Sequence, residues 1–191
     1  MDRDGVINAL WYDSEHGIID SPLNPGQFSL LPRVADAVKA IKQMGFLAIV
    51  ISNQPTIAKG KTTRSNFDAI EKKMFSELGH QGAHLDRTYY CLHHPEATVV
   101  EYREECDCRK PKAGLLHQAS REMDIDLNRS YMIGDGVTDV QAGHAAGCST
   151  VWIGSWKCDI CQVMTSKETH PDLLATDLSE AVSKIKVREH M

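Results

Sequence analysis

The sequence lacks any long apolar run. Its longest, Phe46–Ile51, is strand-sized, far short of the roughly 20 residues that span a bilayer. The opening Met1-Asp2-Arg3-Asp4-Gly5 lacks the apolar core of a secretory signal. The expectation is a soluble, cytoplasmic protein with no membrane partner. A basic excess is missing too. Lys and Arg number 21 against 26 Asp and Glu, for a net charge of -5, so there is no electrostatic footprint for nucleic acid. Internal repeats and low-complexity tracts are absent. What is present is ordinary globular material: 191 residues, 42% hydrophobic and 25% charged. That length predicts a single domain over 1–191, able to bury a core without disulfide staples.

Six cysteines stand at 91, 106, 108, 148, 158 and 161. A three-disulfide secreted framework does not suit a chain of this size without a signal. The grouping beside histidine points to metal instead. Cys91-Leu92-His93 followed by Cys106-Asp107-Cys108 offers four ligands, Cys91, His93, Cys106 and Cys108, to one tetrahedral Zn²⁺. The alternative, a Cys106–Cys108 disulfide, is strained by its one-residue spacing. Cys158 and Cys161 form a second pair, which reads as a metal or redox pair or as plain thiols on a loop.

Hydrophobic periodicity orders the rest. Residues 8–31 read as a long excursion containing a hairpin. Helices are expected from Pro32 to Gly45, around Phe67–Leu78, over Ala113–Met123 and Val137–Ala146, and around Leu178–Ile185. Strands are expected at Phe46–Ile51, Thr88–Tyr90, Ser130–Ile133 and Ser149–Ile153, with 154–171 a loop. Alternating strands and helices imply a parallel sheet covered on both faces, with ligands at the carboxyl ends of the strands.

The chemical motifs fall there. Asp2 and Asp4 set two carboxylates around a turn at Gly5, although an Asx turn accounts for them equally. Ser52-Asn53-Gln54 follows the first apolar strand, where a hydroxyl meets a ligand oxygen or simply caps a turn. Arg109 and Lys110 precede a helix, as an anion site or as an exposed basic turn. Asp135 ends a strand, with Asp139 one helical turn on. That pair suits Mg²⁺ or plain helix capping.

Each signal is weak alone, but their order resembles the haloacid dehalogenase-like phosphatase superfamily over residues 2–153. Cys91–Glu96, Cys106–Pro111 and Ser52–Gly60 resemble the D,D-heptose 1,7-bisphosphate phosphatases, which are similar to the zinc-loop histidinol-phosphate phosphatases. The resemblance implies a Rossmann-like three-layer α/β sandwich, capless, with loops 8–31 and 91–108 shaping the pocket. It implies Asp2 as nucleophile and Asp4 as general acid and base. Ser52 and Lys110 would hold the phosphoryl group, and Asn53, Gln54 and Arg109 would contact substrate. Mg²⁺ would rest on Asp2, the Asp4 main-chain carbonyl and Asp135, with Asp139 orienting Lys110 or metal-bound water. The expected partner is a small phosphorylated sugar, the expected assembly a monomer.

Two departures bear on substrate choice. Pro55-Thr56 stands where the family carries glycine, and Gly136 where it carries lysine. A histidinol-phosphate phosphatase, or another small sugar-phosphate phosphatase, is the enzyme alternative. A catalytically weak zinc-stabilised interaction module is the alternative of another class. In the superfamily an apolar strand leads into the nucleophile, yet only Met1 precedes Asp2 here. The expectation is a truncated first central strand, marginal stability and a natural start lying upstream.

Overall fold

A computed structural model describes residues 1–154 and 170–189; Cys158 and Cys161 lie outside the described residues. The first strands, β1 (Trp11–Asp13) and β2 (Ile18–Asp20), form an antiparallel hairpin inside the excursion. An ion pair between Asp20 and Lys61 ties it to the body. Helix α1 (Val34–Gln43) buries Val34, Ala35, Ala37, Val38 and Ile41. It ends before Gly45, whose φ of +83° no side chain would favour. Helix α2 (Arg64–His80) is capped by Thr63, whose hydroxyl accepts from the Asn66 amide, and it buries Phe67, Ile70, Met74 and Leu78.

Strand β3 (Ile49–Asn53) runs parallel to β4 (Arg87–Cys91). The expected strand Phe46–Ile51 is thus shifted towards its carboxyl end. At its start Leu47 is exposed, and the Ala48 amide is taken by the Asp86 carboxylate. After helix α3 (Gly114–Met123) come β5 (Tyr131–Gly134), α4 (Val137–Ala145) and β6 (Ser149–Ile153). Strand β7 (Leu173–Ala175) pairs with β6, and α5 (Leu178–Glu189) closes the described chain. Strand β7 is a correction to the sequence reading. Three residues without a β-branched side chain give no periodic signal.

Side chains on β3, β5 and β6 alternate between two cores. Val50, Ile133, Val151 and Ile153 pack with α1, α2 and α5. Ile51, Tyr89 and Met132 pack with Leu115, Leu116 and Ala119 of α3 and Ala142 of α4. The result is the expected three-layer arrangement. None of the helices among the described residues is long and apolar enough to cross a membrane.

Among the described residues, the backbone hydrogen bonds that join the ladders β4-β3 and β5-β6-β7 run through the first two residues. The Met1 amine donates to the Ile49 carbonyl at 2.9 Å, and the Met1 carbonyl accepts from Ile51 N–H at 2.8 Å. These bonds flank Val50, the signature of parallel pairing. The Asp2 N–H donates to the Ile133 carbonyl on the other side, at 2.8 Å. Met1–Asp2 therefore occupies the line of a central parallel strand at its carboxyl end. Back along that line lies a cleft of about 460 Å³, lined by Ile49 and Ile51, by Tyr131 and Ile133, and by Leu116 and Ala119, among others.

Candidate active site

The polar residues gather at the carboxyl ends of the strands. Asp2 leaves the central position and the chain turns at once through Gly5, with φ of +78°. A Cβ on Gly5 would stand 2.1 Å from an Asp135 oxygen. A Cβ on Gly134 would stand 2.2 Å from the Asp139 Cβ. Only glycine at both places lets the acidic side chains close up. Carboxylate oxygens of Asp2, Asp135 and Asp139 all lie within 4.8 Å of one another.

Lys110 sits in their midst, only 2% exposed. Its ammonium donates to Asp139 Oδ1 at 2.5 Å and to the Ile51 carbonyl at 2.8 Å, and it pairs with Asp2 Oδ1 at 3.1 Å. Burial opposes that charge, but the Asp2 and Asp139 carboxylates outweigh it and raise the Lys110 pKa. One cation cannot neutralise three carboxylates. Burial, then repulsion from Asp2 and Asp139, pushes Asp135 up to about 7. Burial and Asp2 push Asp139 up to about 6 against the pull of Lys110. A surplus of buried carboxylate beside an open rim is the donor chemistry of a hard divalent cation, so the residues present fit Mg²⁺.

The other expected site residues divide. Ser52 is buried beside the cluster, accepting from Gln54 Nε2 at 3.1 Å. Arg109 stays partly exposed at the rim, with Nη1 on the His93 carbonyl at 3.3 Å. Asn53 and Gln54, expected to contact substrate, are held by protein partners. Asn53 spends its amide on Lys110, donating to its carbonyl at 2.9 Å and accepting from its N–H at 3.0 Å. Gln54 is 0% exposed and is bonded to Arg3, Asp4 and Ser52. Both brace the site from within. The Asp4 carboxylate points into the same buried network. Desolvation there is outweighed first by the Arg3 charge, and the Asp4 pKa lies below the usual carboxylate value.

The roles of Arg3 and Asn8 escaped the sequence reading. For Arg3 the signal was available: a charged residue lying between two acids, on a chain entering a sheet, is either exposed or paired within the site.

The cysteine cluster forms as expected. Cys91 ends β4, and the loop returns Cys106 and Cys108 to it. Sulfur separations are 3.4 Å for Cys91–Cys106 and 3.1 Å for Cys106–Cys108. His93 Nδ1 lies 3.5 Å from Cys108 Sγ. These thiols are free; a disulfide would need about 2.05 Å. Zn–S bonds of about 2.3 Å set tetrahedral S···S edges near 3.8 Å, so a slight outward relaxation seats the ion. Burial opposes ionisation of Cys106, but hydrogen bonds from Cys108, His93 and Cys91 overcome it and lower its pKa to about 7. Lys110 stands two residues beyond Cys108, so the cluster holds the base of the loop that carries the cation.

Comparison with known proteins agrees with this geometry. A family model, Hydrolase_like (HAD-hydrolase-like), matches residues 107–181. The D-glycero-beta-D-manno-heptose-1,7-bisphosphate 7-phosphatase of Yersinia pestis is 36% identical over 189 residues, covering 98% of this chain and 94% of that one. The chain belongs to the heptose-1,7-bisphosphate 7-phosphatase family. The member from Escherichia coli K12 is 41% identical over 150 residues, covering 78% of this chain and 74% of its own. Among solved structures, the D,D-heptose 1,7-bisphosphate phosphatase of B. bronchiseptica, complexed with magnesium and phosphate, superposes with a TM-score of 0.78. It is 25% identical and covers 98% of this chain and 96% of its own. The heptose-phosphatase family thus matches this chain over nearly its whole length.

Proposed function

We propose that the protein is a Mg²⁺-dependent phosphatase removing the 7-phosphate of D-glycero-D-manno-heptose 1,7-bisphosphate through an aspartyl-phosphate on Asp2. The observation that carries this reading is the buried Lys110 ammonium shared by Asp2 and Asp139 at the strand ends. It sits in a chain that matches family members over nearly full length.

Lys110 pairs with Asp2 Oδ1 and orients that carboxylate, so its other oxygen is available to attack phosphorus. As that O–P bond forms, the bond to the leaving oxygen breaks, and Asp4, entering the step protonated, passes its proton to that oxygen. Ionised Asp4 then takes a proton from water as the water attacks the aspartyl-phosphate, releasing phosphate and restoring Asp2. Lys110 and the Ser52 hydroxyl face the phosphoryl oxygens, where negative charge is held throughout. Mg²⁺, held by Asp2, Asp135 and the Asp4 carbonyl, would supply the further positive charge that lets an anionic substrate approach these carboxylates. Arg109, on the rim, is placed to meet the rest of the substrate.

A panel of sugar phosphates assayed with Mg²⁺ tests the reading. The heptose bisphosphate should give the highest kcat/KM, with histidinol phosphate far behind. The reverse order would replace heptose by histidinol phosphate. No turnover together with no trappable aspartyl-phosphate would favour a zinc-stabilised interaction module.

A further inference from the structure

Arg3 has no part in the steps above, yet no side chain is more completely enclosed. It is 0% exposed. Its Nε donates to Asp4 Oδ1 at 3.1 Å and its Nη2 to Asp4 Oδ2 at 3.2 Å, a two-pronged grip on one carboxylate. Nη2 also donates to Gln54 Oε1 at 2.7 Å. Gln54 Nε2 returns to Asp4 Oδ2 at 2.7 Å, and Asn8 Nδ2 donates to Asp4 Oδ1 at 2.8 Å. Each Asp4 oxygen therefore has two donors on it. Behind this network the guanidinium lies 5.7 Å from the Phe67 ring centre and 5.9 Å from that of Tyr90. The aromatic rings fix its plane, and its burial keeps it from any phosphate in the open site.

A guanidinium in this position acts on the reaction through Asp4, which it grips directly, and through Gln54. We propose that Arg3, assisted by Gln54, is a positioning residue that fixes the direction of the Asp4 carboxyl group for proton transfer to the leaving oxygen. Gln54 extends the same control to Ser52, since its amide bonds both side chains. The inference rests on the proposed acid–base role of Asp4. It adds that this role needs an orientation imposed from behind, and that Lys in place of Arg cannot impose it, since an ammonium cannot bracket two oxygens in one plane.

Leaving groups of different basicity separate positioning from mere structural support. A sugar alkoxide must be protonated as it departs, whereas p-nitrophenolate leaves unaided. Single-turnover cleavage by Arg3→Met and Arg3→Lys should slow about 100-fold and about 10-fold with the heptose bisphosphate, within the range general acids contribute. The p-nitrophenolate burst should change by no more than about threefold, because it needs no general acid. Gln54→Met should show the same split at smaller size, on top of a common loss with both leaving groups through Ser52, and the split decides the matter if Arg3→Met fails to fold. Equal losses with both leaving groups in the folded variants would overturn the inference and leave Arg3 as a counter-charge. Asp4→Asn is the control for the underlying reading. If it shows no such split, the acid–base role of Asp4 fails, whatever Arg3 does.

Discussion

The two ends of one sheet are built to different standards. At the carboxyl ends, Lys110 is tied to Asp2 and Asn53, and Gln54 to Arg3, Asp4 and Ser52, through short hydrogen bonds and ion pairs, and the glycines admit no added carbon. At the amino ends, between β3 and β5, there is a cleft of about 460 Å³ walled by Ile49, Ile51, Tyr131 and Ile133. The difference separates what chemistry needs from what stability needs. The backbone bonds of Met1 and Asp2 set the carboxylate that the proposed reaction uses in line with its partners. Apolar side chains filling the cleft would add burial, at about 1.5–3 kcal/mol for each large one.

The largest effect should come from the dense end. Asp2→Asn keeps the side-chain size but removes the attacking oxygen's charge, and turnover should fall by about 10³-fold or more. Steady-state assays with Mg²⁺ check this, and near-native activity would displace Asp2 as nucleophile. At the sparse end, five β-branched residues added ahead of Met1 should enter the cleft and pair with both ladders. Calorimetry should then show a gain of about 10 °C or more. An unchanged Tm would mean the cleft does not accept a strand.

The zinc cluster comes next. Purified protein should carry about one Zn²⁺ per chain, as a four-ligand site requires. Cys106→Ser should lose metal, melt lower and lose activity through the displaced Arg109 and Lys110. Equal zinc in a Cys91/Cys106/Cys108 triple-serine variant would remove the ion from this site.

The smallest effects are in pH dependence, and the two ends should differ in sign. Burial, then the Lys110 charge, lowers the Met1 amine to about 6. Its unfolded value is about 8. The folded state prefers the neutral amine, so this contribution is present above about pH 8 and lost as pH falls towards 6, at about 2–3 kcal/mol in full. Nα-acetylation should therefore raise Tm more at pH 6 than at pH 8.5. Asp135, raised to about 7, behaves oppositely. Its contribution is present below about pH 4 and lost as pH rises towards 7. Added Mg²⁺ should accordingly raise Tm more at pH 7.5 than at pH 5. Equal Mg²⁺ shifts at both pH values would remove Asp135 from the cation site.

Much of this was legible in the sequence, for a physical reason. Strand Ser149–Ile153 is found as expected because a buried parallel strand is a continuous apolar run with turn residues at both ends. The zinc cluster and the acidic pair Asp135 and Asp139 are local patterns at strand ends, so topology alone brings them together. What stayed hidden depends on the direction of single side chains. Asn53 and Gln54 follow the same strand as Ser52, but whether an amide faces outward or inward at a turn is decided by neighbours such as Lys110 and Arg3, distant in sequence. Strand β7 was hidden because its partner, not its composition, makes it a strand.

The seam through Met1 and Asp2 has a mechanical side. Two ladders, one containing β3 and β4 and the other β5 to β7, share their cores and are bridged along the backbone by three hydrogen bonds on adjacent residues. Lys110 is fastened to the first ladder through Ile51 and Asn53, while Asp135 and Asp139 belong to the second. Asp2, the proposed nucleophile, sits on that bridge itself. Any swing of one ladder against the other is therefore a displacement of Asp2 from the Lys110 ammonium or from Asp135 and Asp139. Opening the sheet and disturbing the proposed chemistry are thus the same movement.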